Sequence, residues 1–478
     1  MIDLKQMVVW LFYFCIMLFC ALPAGLNTPV DVVGLTNTAA TELPQLGTVD
    51  DVIRIYDMGD ASTYARMAKN LAQGKFTEYE YWRLRLFAPG DTFIEALSLK
   101  FLGAKFPIVL FFTVMTCAFW ASVCFNIRAL GNPTAQPIVS SILPLLLCAC
   151  GLFTIYYLRK GIMLSESLST AQLSLSFLYL VRSYLEKRPG FAVGSGVFLA
   201  LAAYMRAQNE LVGLSLNILG GVFGVVALVW MFVAKKISVG TISISSFGKT
   251  FPALGALLIA LIAFNCLTVP YRCWNLYQYK SASWLQWDHY WEANWRDEEV
   301  MKRDNDQRLI DQGETVAARV NPELAAKIRE QVNAKGPFAF PDDYYKSSSI
   351  MTFIRHPRTW MILKYPAIVY AWVELNAPAY LTDRSKDLHL EHLAFVLVLI
   401  ICFCRFIIGA LFWKRLVGIE LYYFGFFLAL FGANSLTTIF IHLEPRYYYT
   451  LKIMSVVMLL GWLNLKLGKI SRTATSVG

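Results

Sequence analysis

The sequence predicts an all-α polytopic membrane protein of about ten transmembrane helices, with interfacial helices in a first outer loop and a small outer domain late in the chain. Three observations predict it. Hydrophobic residues make up 57% of the chain, aromatic residues 15% and charged residues only 16%, with a mean hydropathy of +0.49, a balance outside that of soluble domains. The apolar residues come in blocks near the length of about 20 residues that a helix needs to cross about 30 Å of hydrocarbon. Lys and Arg gather in alternate connecting segments, as cytoplasmic loops do. In lipid these blocks must be helices, because each backbone polar group has to be satisfied within its own segment.

The first block, 7–24, follows Lys5 and ends in Ala21-Leu22-Pro23-Ala24-Gly25, which also suits a signal-peptide cleavage region. Retained or cleaved, it leaves the next segment on the outer side. That segment, 25–106, reads as irregular up to Asp51. From Asp60 to Ala72 the apolar positions Ala61, Tyr64, Ala68 and Leu71 recur at helical spacing, with Asp60 at the N-cap and Gly74 as C-terminal cap. A second run, Asp91–Leu102, sets Phe93, Ile94, Leu97 and Phe101 against Asp91, Glu95 and Lys100, the pattern of a helix lying in the interface.

Further spans are expected at 107–127, 136–157, 165–183, 191–205, 211–233 and 251–270. With the N-terminus inside, the cytoplasmic segments carry Lys5, then Arg128, then Arg182, Lys187 and Arg188, then Lys235, Lys236 and Lys249, then Lys414 and Arg415, and finally Lys466, Lys469 and Arg472. The net charge of +10 is thus a topology signal, and no nucleic-acid partner is expected. Arg159 and Lys160 break the rule on the outer side.

The second outer segment, 271–392, opens with Trp274, Trp284, Trp287, Trp291 and Trp295, residues that favour the headgroup region. From Asp297 to Lys335 it turns charged, with a cap at Asn321-Pro322. The piece 358–375 is apolar but interrupted by Lys364, Pro366 and Glu374, so it reads as interfacial. Spans at 393–412, 417–440 and 450–466 complete the chain. This divides it into an N-terminal membrane module, 1–270, an outer domain, 271–392, and C-terminal membrane helices, 393–478. Nine of the ten cysteines lie in apolar blocks and only Cys273 falls outside, so no disulfide framework is expected.

Asp60, Tyr64, Ala68, Leu71 and Gly74 in a loop after the first span, followed by Ala88-Pro89-Gly90, form the first of four strings with one resemblance. The others are Met163–Leu168, Ala202–Arg206 and His442–Tyr449. In this order the chain resembles the membrane-integral glycosyltransferases of the GT-C type, the superfamily of the protein O-mannosyltransferases and the lipid A aminoarabinose transferase. It departs from them at Asp60-Ala61, where many members have Asp-Glu, and at Ala88-Pro89, where many have Pro-Pro. The resemblance implies transfer of a sugar from a polyprenyl-phosphate donor, on the outer membrane face, to an envelope glycan, a lipid or a protein. The membrane implied is a bacterial inner membrane with the site facing the periplasm, or alternatively that of the endoplasmic reticulum.

Such chemistry needs a carboxylate to take the acceptor hydroxyl's proton and cations to stabilise the leaving phosphate. A single displacement inverts the anomeric centre, and no metal is required for it, though a divalent ion stays open. Asp60 is the candidate base, a residue equally suited to capping its helix, and Asp57 is second. Arg159, Lys160, Arg206 and Arg446 are the candidate phosphate ligands. Arg206, at the end of an apolar span, must pair or face water; the structural alternative is a pair with Glu166 or Glu210. Arg446 with Tyr447, Tyr448 and Tyr449 suits either a sugar or an aromatic belt. Tyr64, Arg83, Arg85 and Tyr447 are further substrate contacts, with snorkelling as the alternative for the two arginines, and Glu166 would orient a cation or the sugar. His389 and His392, three residues apart, could share a metal, but no metal site is expected. The rival readings are a transporter or lipid flippase, which would show matched halves and charges at mid-membrane, and an O-antigen polymerase or ligase.

Overall fold

The computed structural model describes residues 4–24, 47–55, 60–75, 88–131, 139–159, 165–236, 244–279, 390–409, 418–440 and 445–475. They form helices throughout, with no strand among the described residues. The chain falls into two compact units. One comprises Met1–Trp284, Cys402–Ala429 and Ile453–Gly478; the other comprises Leu285–Ile401 and Leu430–Lys452.

In order the helices are α1 Leu4–Ala24, α2 Val49–Ile55, α3 Asp60–Ala72, α4 Gly90–Leu102, α5 Ile108–Leu130, α6 Val139–Arg159, α7 Ser165–Glu186, α8 Pro189–Met205, α9 Ala207–Lys236 and α10 Ile244–Tyr279. Then come α11 Leu390–Cys402, which continues as a π-helical turn Phe403–Ile408, α12 Ile419–Phe440 and α13 Pro445–Thr475. A helix stands at each of the ten expected spans. Among the described residues six stretches are long and apolar enough to cross a membrane: Leu4–Ala21, Ile108–Leu130, Ala207–Val226, Pro252–Tyr277, Ile419–Leu436 and Tyr449–Leu467. The protein is therefore an integral membrane protein, and ten spans is more than these helices establish.

The shortfall has identifiable causes. Apolar stretches in α6, α8 and α11 are shorter, at Ile142–Leu152, Pro189–Met205 and Ala394–Ile408. α7 carries Ser167, Ser169, Thr170, Gln172, Ser174 and Ser176, all buried. Their hydroxyls are met locally: Ser174 Oγ donates to the Thr170 carbonyl (2.7 Å), and Ser176 Oγ shares a hydrogen with Ser195 Oγ of α8 (3.3 Å). Protein rather than lipid surrounds α7, which is why so polar a helix can sit here. It packs on α5, α8 and α10, and α8 packs in turn on α9 and α10. Lipid-facing surfaces lie elsewhere, for example at Ile218, Val222 and Val225 of α9, all more than half exposed.

Two parts of the segment 25–106 differ from expectation. Residues up to Asp51 were expected to be irregular, yet α2 starts at Val49. Its signal is a capping box: Asp51 Oδ2 accepts from the Thr48 backbone N–H (2.9 Å), and Thr48 Oγ1 accepts from that of Asp51 (3.3 Å). The helix Asp60–Ala72 forms as its periodicity predicts and ends at Gly74, whose φ of +69° allows Gly74 N–H to reach Leu71 (3.1 Å) and Lys75 N–H to reach Asn70 (2.8 Å). α4 also forms, but its polar side faces inward. Asp91, Thr92, Glu95 and Ser98 are buried, whereas Phe93, Leu97, Phe101 and Leu102 are exposed. In a membrane that outward face suits lipid, and protein covers the acids.

α10 runs past its expected end at 270, to Tyr279, because Tyr271, Trp274 and Asn275 extend its packed face. It therefore also carries the exposed Cys273. The outer domain expected beyond it, including most of the Trp-rich stretch, the charged stretch and 358–375, lies outside the described residues. In the second unit the described residues belong to α11, α12 and α13; Leu399, Leu430, Ala433, Tyr449 and Lys452 are buried there.

Candidate functional site

An apolar cluster builds the site. Val49 and Val52 of α2, Ala65 of α3, Ile108, Val109 and Phe112 of α5, Leu168 of α7 and Met205 of α8 form one buried core, with Ile94 and Leu99 of α4 packed against it. The three helices α2, α3 and α4 are thereby held against the start of α7 and the end of α8. Each of those two termini carries a charge next to its core residue: Glu166 lies two residues before Leu168, and Arg206 directly follows Met205. α3 and α4 pack together, and Lys69 of α3 pairs with Asp50 of α2 at the surface (2.7 Å).

The α8–α9 junction is the sharpest feature. Arg206 is extended, with φ −145° and ψ 121°, so the chain breaks for one residue between two helices. The break is well satisfied. Arg206 N–H and the Asn209 side chain both donate to the Ala202 carbonyl (3.0 Å each), and the Arg206 carbonyl accepts from Asn209 N–H (2.9 Å). The guanidinium turns to Glu166 and forms an ion pair in which the arginine side chain is 12% exposed and the glutamate 3%. One turn further on, Glu210 is fully buried and pairs with Arg272 of α10 at 3.0 Å. Arg272 also donates to Asn265 (3.3 Å), whose amide exchanges hydrogen bonds with Asn217 of α9. Two ion pairs thus bracket the break.

α4 reaches the same place through Gly90. A Cβ at this position would lie 2.6 Å from the Tyr204 carbonyl oxygen and 2.9 Å from Met205 Sδ, so only glycine permits the approach. Asp91 and Glu95 follow on the buried face. Burial, and secondly the charge of Asp91, hold the Glu95 carboxyl well above the usual carboxylate range. Glu95 Oε2 and Thr92 Oγ1 are buried without a hydrogen-bond partner.

Of the residues expected from sequence, the structure brings Glu166 and Arg206 together and pairs them, the structural alternative for that arginine; Glu210 takes Arg272 instead. Tyr64 is half-buried on α3, adjacent in sequence to the core residue Ala65. Asp60 is the first residue of α3, while its side chain, like those of Arg159, Arg446, Tyr447 and His392, lies outside the described residues. Asp57, Arg83, Arg85, Lys160 and His389 lie wholly outside them. Sequence reasoning missed the buried role of Asp91 and Glu95, and it missed Arg272. The signals were present: two acids four residues apart on an otherwise apolar helix, and an arginine following the apolar run that ends at Pro270.

Among the described residues no group of three or more His, Cys, Asp or Glu side chains is placed to hold a metal. No protein-family model, no curated protein and no solved structure matches the chain.

Proposed function

We propose that the protein is a glycosyltransferase that moves a sugar from a polyprenyl-phosphate donor to an envelope glycan, lipid or protein, with inversion at the anomeric carbon. The observation that carries this reading is convergence. Three of the four strings behind the GT-C resemblance lie at one buried core: Ala65 falls within the first, Leu168 and Met205 within the next two, and Ile94 and Leu99 of the helix that follows Ala88-Pro89-Gly90 pack against it. Segments distant in sequence that carry the resemblance thus pack around one core.

In this reading Asp60 takes the proton of the acceptor hydroxyl as its oxygen attacks the anomeric carbon. The bond from that carbon to the phosphate oxygen breaks, and the polyprenyl phosphate leaves with the electron pair. Arg206, oriented by Glu166, faces the charge that grows on the phosphate, a role that suits the planar, always-charged guanidinium. The lipid-facing side of α4 supports a donor that arrives through the bilayer.

Membranes containing the full chain, incubated with polyprenyl-phosphate-linked hexoses and a membrane lipid acceptor fraction, test the reading. Release of polyprenyl phosphate with a product of inverted anomeric configuration, read by NMR, is the expected result. A retained configuration contradicts the single displacement. Translocation of the intact lipid-linked sugar without cleavage favours the transporter or flippase.

A further inference from the structure

The end of α10 holds hydrogen-bonding capacity that the protein itself does not use. Arg272 spends Nε on Glu210 (3.0 Å) and Nη1 on Asn265 (3.3 Å), but Nη2 is buried without a partner. Asn275, three residues on and so on the same helix face, is 1% exposed, and neither its Oδ1 nor its Nδ2 has a partner. An amide buried with both functions unmet is costly. Aromatic rings lie beside it: Tyr271 packs on Trp274 (5.4 Å between ring centres) and, edge-on, on Tyr204 of α8 (5.8 Å). The Arg272 side chain keeps 13% exposure, so the group is not wholly sealed by protein.

The unmet atoms select among ligands. Glu210 already compensates the charge of Arg272, so an anion gains little net attraction here. A phosphate offers only acceptors and would leave Asn275 Oδ1 unmet. A hydroxyl both donates and accepts, and neighbouring hydroxyls can meet Oδ1, Nδ2 and Nη2 together while aromatic rings cover the C–H face between them. We propose that Arg272 and Asn275 form a binding subsite for the hydroxyl groups of a sugar. Its assignment to the sugar of a lipid-linked donor rests on the function proposed above; its preference for hydroxyls does not.

The test is binding, measured by native mass spectrometry on the purified full chain. The probes are farnesyl phosphate linked to glucose, mannose or galactose, with farnesyl phosphate as the sugarless control. Asn275→Leu removes both amide functions in a similar volume. Because those functions are unpartnered in the protein, the variant is expected to melt no lower than the wild type while binding the preferred sugar lipid about tenfold more weakly. Affinity for farnesyl phosphate should not change. Arg272→Lys keeps a charge for Glu210 but lacks Nη2, and it should weaken sugar binding in the same way.

Three results overturn the proposal: no preference of the wild type for any sugar lipid over farnesyl phosphate, equal sugar affinity in Asn275→Leu, as when water alone meets the amide, or an equal loss for the sugarless lipid, which marks a phosphate site. Transfer is assayed separately. Asn275-dependent sugar binding without transfer leaves the subsite standing and removes the transferase, whereas transfer with unchanged binding in Asn275→Leu removes only the subsite.

Discussion

Arg206, the one extended residue between α8 and α9, is ion-paired with Glu166, the second residue of α7. The pair joins the start of α7 to the α8–α9 junction, at the point where α4 also arrives. Its strength comes from context: both side chains are largely withdrawn from solvent, so either one alone would be a charge without compensation.

The pair should therefore behave asymmetrically on mutation. Arg206→Gln leaves Glu166 buried without its partner and is predicted to cost about 3–5 kcal/mol, the range for breaking a buried pair. Glu166→Gln combined with Arg206→Gln should recover part of that loss. Thermal unfolding of the purified variants checks both, and a single variant as stable as the wild type would contradict the burial.

Glu95 predicts a pH dependence whose sign follows from its environment. Its carboxyl is held well above the ordinary 4.5 by burial and then by Asp91. The folded chain keeps this proton at pH values where the unfolded chain has lost it, so its stabilising contribution is full below the ordinary value and is lost as pH rises through the raised one. Glu95→Gln has no proton to lose. Melting temperatures measured from about pH 4 to 8 should show the variant gaining on the wild type as pH rises. A gap that stays constant would refute the protonated, buried carboxyl.

Gly90 carries the contact of α4 with α8. Gly90→Ala places a methyl group against the Tyr204 backbone oxygen, which cannot move aside as a side-chain tip can. Overpacking of this kind costs about 1–3 kcal/mol. We predict a lower melting temperature and slower turnover for Gly90→Ala. Wild-type values for both would mean that α4 does not need this approach.

Much of this architecture is legible in the sequence. Apolar blocks locate ten helices because lipid leaves the backbone no alternative, and the three- and four-residue spacing locates α3 to its last turn. The inward side of α4 is not legible by the same rule. Its sequence splits acids from aromatics as a water-facing amphipathic helix does, and only tertiary packing decides whether the acids meet water or protein. Arg206 was recognisable as a charge that must pair; which of two glutamates it takes depends on the break in φ and ψ that turns it toward α7. α2 is short enough that its one signal, Thr48 with Asp51, was lost in an aperiodic stretch. Arg272 and Asn275 lie past the span end expected at 270, where polar residues break the unbroken apolar run although the apolar stretch of α10 as a whole continues to Tyr277.

The central claim is that Asp60, the first residue of the helix whose Ala65 shares a buried core with Leu168 and Met205, removes the acceptor's proton. It is tested most directly by single-turnover release of polyprenyl phosphate from a lipid-linked hexose, comparing purified wild type with Asp60→Asn. The variant keeps a helix-capping side chain, so a well-folded protein is expected. The account predicts release slowed by about 10²–10⁴-fold, the range for losing a general base. Equal rates in the two proteins would contradict it.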